Sequence, residues 1–191
     1  MDAEARFGAL FDATYAAVAR YARHRGLVGQ DAEDLIAATY EVAWRRLDVV
    51  PEGDVALPWL LTVALNHFRN HRRRLARDRA LVERLPAPDQ SAGPSESSSP
   101  GWREIRRALD ALAESDRELV LLVAWDGLTP AQAAGVLGLT PTAARTRLHR
   151  ARIRLADLLG IERGGQADGR RVATLARPRR LGDLKHERSS S

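Results

Sequence analysis

Arginine, asparagine and threonine carry the chemistry that this chain offers. Between residues 140 and 160 stand five arginines and one aspartate, a net charge of +4. Arg145, Arg147, Arg150 and Arg152 are interleaved there with Thr140, Thr142, Thr146 and His149. A guanidinium can donate in parallel to a guanine edge or clamp a phosphate, and a hydroxyl can reach either. A second cluster, NHFRNHRRRLARDR, spans residues 66–79 with six arginines and one aspartate. Asn66, Arg69 and Asn70 share a helix face at spacings of three and four, and they can bind exposed base edges or backbone. Arg72, Arg73 and Arg74 supply phosphate affinity that does not depend on sequence.

Other chemistries fit less well. His67 and His71 lie four apart, which is metal-ligand spacing on a helix, but the intervening residues lack the glutamate of the HExxH pattern. No third ligand cluster is evident and the flanking arginines repel a cation, so no metal and no cofactor is expected. The chain has no cysteine, hence no disulfide, zinc–thiolate site or thiol nucleophile. No Ser/His/Asp set, glycine-rich phosphate loop or pair of carboxylates occurs at usable spacing. No catalysis by the chain itself is expected.

The arginines of residues 140–160 need a rigid carrier, and LTPAQAAGVLGLTPTAARTRLHRARIRLADLL (Leu128–Leu159) provides one. Thr129 is placed to cap a helix that has Pro130 at its first position and Gln132 where a capping-box partner would sit. That helix runs to about Leu137. Gly138 permits the left-handed residue of a tight turn, and Thr140 with Pro141 starts a second helix. Ala144, Leu148, Ala151, Leu155 and Leu158 share its apolar face. Two helices around a three-residue glycine turn form a helix-turn-helix.

Upstream, residues 3–25 read as a helix ended by Gly26. A second follows, capped by Asp31, with Glu33 and Asp34 in its first turn. The segment 48–56, DVVPEGDVA, reads as a loop. A third helix begins near Leu57 and runs to about Leu85. Its first half, PWLLTVAL, is nearly all apolar, and it turns from core element to polyanion-facing surface near Asn66. Of the sixteen residues 86–101, eleven are Pro, Ser or Gly, the composition of a flexible linker. Such a linker would let two bodies be placed apart on one target. A helix is expected over about 102–113, then another capped by Ser115 with Glu118 as its capping-box partner.

The fold class is therefore all-α, with two small helical domains: residues 1–85, and a helix-turn-helix domain over 102–160. Residues 161–191, with eight basic and four acidic side chains, read as a disordered basic tail. Net charge is +5 over 191 residues, yet residues 1–65 and 80–139 are each net −4. Two basic patches on an otherwise acidic chain suggest a polyanion contacted at two places. The acidic N-terminus has no apolar signal core and no apolar run could span a bilayer, so a cytoplasmic protein with no membrane partner is expected.

These pieces in this order resemble the extracytoplasmic-function (ECF) sigma factors of bacterial RNA polymerase. DAEDLIAATYEVAWRRLD (Asp31–Asp48) and PWLLTVALNHFRNHRRR (Pro58–Arg74) look like the family's second conserved region. Residues Leu112–Leu159 look like the fourth. The resemblance implies that the first domain docks on the clamp of core RNA polymerase through Asp31, Asp34, Leu35, Tyr40 and Trp44. It implies that Asn66, Arg69, Asn70, Arg72, Arg73 and Arg74 act on the −10 promoter element, and that loop 48–56 helps capture a flipped-out base. The second domain would read the −35 element with Thr140, Thr142, Arg145, Thr146, Arg147, His149, Arg150 and Arg152, and would contact the flap. An anti-sigma factor, or the tail, would be the candidate for control. Three features depart from the family: its usual Gln-Glu pair in the docking helix is Ala37-Ala38 here, its common Val is Ala144, and the basic tail is extra.

The main rival is a dimeric helix-turn-helix regulator that binds duplex DNA without programming polymerase. It accounts for residues 102–160 and leaves the apolar-to-basic helix of the first half unexplained.

Overall fold

The computed structural model describes residues 2–82 and 100–161. Seven helices make up these residues: α1 (Ala3–His24), α2 (Gln30–Arg45), α3 (Ala56–Val82), α4 (Pro100–Asp110), α5 (Glu114–Ala124), α6 (Pro130–Leu137) and α7 (Pro141–Leu158). A single 3-10 turn, Gly53–Val55, precedes α3, and no strand occurs among the described residues. The expected linker and tail lie outside the described residues, apart from Pro100 and Gly101, which open α4, and Ile161. No described helix is long and apolar enough to cross a membrane.

In the first half, α1, α2 and α3 pack around Val18, Tyr21, Leu35, Tyr40, Ala43, Leu60, Leu61 and Leu65, all buried. Each fully buried leucine of this kind contributes roughly 1.5–3 kcal/mol. Thr14 Oγ1 and Tyr40 Oη meet at 2.8 Å, which satisfies two hydroxyls inside this core. Burial pushes the Tyr40 phenol above its ordinary value. In the second half, Leu119 and Leu122 of α5, Ala133 and Ala134 of α6, and Ala144, Leu148 and Ala151 of α7 form the core. Small residues at α6 and α7 allow these two helices to approach closely.

The halves are not held apart. One continuous apolar cluster runs through both, and α6 lies against α3. The two helical domains expected from the sequence are both present, and here they rest on one another. A set of buried charges that no local pattern announces lies between them. Arg25, at the end of α1, has a side chain only 1% exposed. Its Nε donates to Glu118 Oε2 at 2.9 Å, and its Nη1 donates to Asp126 Oδ2 at 2.9 Å and to the Tyr21 carbonyl at 3.1 Å. The guanidinium carbon stands 3.4 Å from the centre of the Tyr21 ring.

Two helix starts differ from expectation. The residue before α5 is Ala113, with no side-chain cap, and Ser115 lies inside the helix. Glu118 does not reach back to the helix start because Arg25 holds it. Helix α2 begins at Gln30 after Gly29, whose φ of 53° suits glycine, so Asp31 sits in the first turn rather than at the cap.

Candidate nucleic-acid interface

The carrier of the first arginine set is built by local chemistry. Thr129 and Gln132 form a reciprocal capping box: the Gln132 amide N–H donates to Thr129 Oγ1 at 3.2 Å, and Gln132 Oε1 accepts from the Thr129 amide at 2.9 Å. Gly138 closes α6 in the left-handed region, with φ 66°. Thr140 Oγ1 then accepts from the Ala143 amide at 3.2 Å and caps α7. With Ala144, Leu148, Ala151 and Leu155 turned inward, the opposite face of α7 is fixed.

That face carries Thr142, Arg145, Thr146, His149 and Arg150, all exposed and at spacings of three and four. Thr146 Oγ1 donates to the Thr142 carbonyl at 3.1 Å, so its hydroxyl is oriented before any ligand arrives. Arg147 and Arg152 are only half exposed. Arg147 is engaged within the protein: its Nε donates to Asp116 Oδ1 at 2.7 Å and its Nη2 donates to Ser115 Oγ. Of the expected duplex-reading set it is the member most committed to scaffolding. Thr140, exposed at the helix start, is both cap and candidate contact.

The second set lies on α3. Leu60, Leu61, Ala64, Leu65 and Phe68 anchor this helix, while Asn66, Asn70, Arg72, Arg73 and Arg74 are exposed and Arg69 is half-buried. Arg72 approaches Glu114 of α5 at 3.3 Å and its guanidinium lies 5.9 Å from the centre of the Phe68 ring. Arg69, Arg72 and Arg73 line an open cleft together with Glu114 and Ser115. His71 Nε2 stands 3.9 Å from Asp31 Oδ2, across to α2. Among the described residues no three potential metal ligands are gathered.

The loop before α3 is pinned from two directions. Arg6 Nη2 donates to the Val50 carbonyl at 2.8 Å, and Arg6 Nε stands 3.2 Å from Glu52 Oε1. From the other half, Gln132 Nε2 donates to the Asp54 carbonyl at 3.2 Å. Of the expected docking residues, Asp31, Asp34 and Trp44 are exposed, Trp44 by 47% with its ring edge-on to Phe7. Leu35 and Tyr40 are buried in the core and can act on a partner only by shaping α2.

Comparison with known proteins agrees with this layout. Residues 10–78 match sigma-70 region 2, and residues 102–155 match sigma-70 region 4. The chain belongs to the ECF sigma factors of RNA polymerase. It is 30% identical over 164 residues to the RNA polymerase sigma factor NccH of Alcaligenes xylosoxydans xylosoxydans, covering 80% of this chain and 86% of that one. It is 35% identical over 153 residues to the ECF sigma factor SigL of Mycobacterium tuberculosis, covering 74% and 81%. Among solved structures, the sigma factor RpoE of Bartonella quintana, determined with the anti-sigma factor NepR, superposes with a TM-score of 0.65 at 25% identity. That match covers 82% of this chain and 98% of the other. A sigma factor binds core RNA polymerase and directs initiation at promoters. The region 2 match accounts for the first half of the chain, which a dimeric helix-turn-helix regulator leaves unexplained.

Sequence reasoning missed Arg25 and Asp126, and gave Glu118 a capping role in place of its pairing with Arg25. One signal was available for Glu118: it falls four residues before Leu122 on the apolar stripe of α5, and an acid on a buried face implies a buried counter-charge.

Proposed function

We propose that this sigma factor divides promoter recognition between its two halves. The exposed face of α7, with Thr142, Arg145, Thr146, His149 and Arg150, reads the −35 element as duplex, and Thr140 and Arg152 flank it. The basic end of α3, with Asn66, Arg69, Asn70, Arg72, Arg73 and Arg74, holds the −10 element and helps to open it, with loop 48–56 beside it. Helix α2 docks on the polymerase clamp through Asp31, Asp34 and Trp44. The observation that carries this reading is the match of each basic helix to a different sigma region, 2 for α3 and 4 for α7. The chain supplies binding and positioning, in the cytoplasm, and the polymerase does the chemistry. An anti-sigma factor is a fitting regulator, since RpoE of Bartonella quintana, a structural neighbour, was solved with one.

The test is a combined Asn66→Ala, Arg69→Ala, Asn70→Ala variant assembled with core polymerase on a duplex promoter. Closed-complex formation should remain, and permanganate reactivity of unpaired thymines should fall sharply. A pre-melted template should recover part of the lost initiation. Normal opening on the duplex would withdraw the role given to α3.

A further inference from the structure

Two contacts tie the second half of the chain onto the surface that the first half offers to an opened strand. Glu114 of α5 sits 3.3 Å from Arg72, and Glu114 and Ser115 line the same open cleft as Arg69, Arg72 and Arg73. Gln132 of α6 holds the carbonyl of Asp54, in the loop that leads into α3. An acid placed against the arginines competes directly with phosphate, and a side chain across the loop occupies the approach to it. Behind these contacts lies the buried cluster of Arg25, Glu118 and Asp126, with His24 Nδ1 at 3.2 Å from Asp126 Oδ1 and its ring 5.1 Å from that of Trp125.

The chemistry of this cluster suits an interface that must part. A buried ion pair adds little net stability over an apolar contact of the same volume, because each charge has been stripped of water. Removing one partner while the interface stays shut is costly, so the cluster is strict about register. When the halves separate, water regains both charged sides, which offsets part of the cost of wetting the apolar contact between α3 and α6. Residues 83–99 join the two halves and are long enough to let them separate without breaking either one.

We infer that Arg25, Glu118 and Asp126 form an interdomain latch, and that the latched chain is an autoinhibited form in which the second half covers the strand-opening face of α3. The inference rests on the reading of α3 and loop 48–56 as the −10 surface. Promoter opening then requires the latch to break, with Arg25 and its two carboxylates exchanging one another for water or for a surface of the polymerase. Duplex reading by α7 does not require it, because none of Thr142, Arg145, Thr146, His149 or Arg150 takes part in these contacts.

The absence of cysteine makes a direct test simple. In the full-length chain, Asp54→Cys and Gln132→Cys are joined by a short bis-maleimide whose spacer contains a disulfide. The pair should react rapidly in the free chain. Adding Glu118→Gln and Asp126→Asn, which keep shape but remove the charges facing Arg25, should slow the reaction at least tenfold; an equal rate would overturn the latch. With core polymerase and a duplex promoter, the cross-linked chain should open DNA at least tenfold less than the same preparation after the spacer is reduced. A locked chain as active as its reduced form, or a loss that reduction does not reverse, would overturn the autoinhibited form. Failure of the underlying reading shows elsewhere, as normal opening by the Asn66, Arg69 and Asn70 triple variant in a chain never cross-linked.

Discussion

Arg147 is tied to Asp116: its Nε donates to Oδ1 across 2.7 Å, which clamps α7 to α5. Both side chains are about one-third exposed, so solvent weakens the pair. Arg147→Ala should lower the denaturation midpoint, at a cost of about 1 kcal/mol, and weaken DNA binding equally for all sequences. Arg145→Ala and Arg150→Ala should leave the midpoint unchanged. At a base-reading position the loss is about 1–3 kcal/mol for the preferred site only, whereas a phosphate-binding position also flattens the salt dependence. A changed base preference in a fully stable Arg147→Ala variant would show that this side chain reads DNA after all.

The caps of the helix-turn-helix should be separable from its DNA contacts. Thr129→Ala removes the capping box and should cost about 1 kcal/mol of stability. Thr140→Ala should cost a similar amount, and Thr140→Ser should restore most of it because the hydroxyl is what Ala143 binds. Gly138→Ala forces a side chain to φ 66° and should cost roughly 1 kcal/mol. Urea midpoints of the four variants check these values. A Thr140→Ser variant with normal stability but lost −35 binding would assign the threonine methyl to DNA contact.

What was legible in the sequence was what local chemistry decides. Thr129, Gln132, Gly138 and Thr140 act within four residues of themselves, so their types and spacing were enough to place both helices and the turn. The apolar stripes of α3 and α7 likewise told which arginines face outward. Arg25 was not legible, because its partners lie 93 and 101 residues away and α1 gives it no distinguishing neighbour. Arg147 sits among exposed arginines and differs from them only through Asp116, 31 residues earlier. The family resemblance points to Tyr40 and Leu35 as docking residues because α2 as a whole resembles the docking helix. Their side chains point to Thr14 and to the core, which only the packing of α1 against α2 determines.

Helix α2, proposed to dock on the polymerase, differs from the family it resembles at Ala37 and Ala38, of which Ala37 is exposed and Ala38 half-buried. Two alanines give a partner no hydrogen bond where the family offers a Gln-Glu pair. Ala37→Gln with Ala38→Glu should tighten the complex with core polymerase several-fold and leave DNA binding by the free chain unchanged. Competition against a second sigma factor for limiting core enzyme measures this. Weaker competition by the double variant would mean that this helix docks through a different face.

The central claim, that this chain programs RNA polymerase through two separate promoter contacts, is tested most directly by reconstitution. The purified full-length chain, added to core polymerase and a library of duplex templates, should give initiation only from templates that share two sequence elements at fixed spacing, and changing either element should abolish it. Tight duplex binding by a dimer of the chain alone, with no initiation when core polymerase is added, would contradict the account.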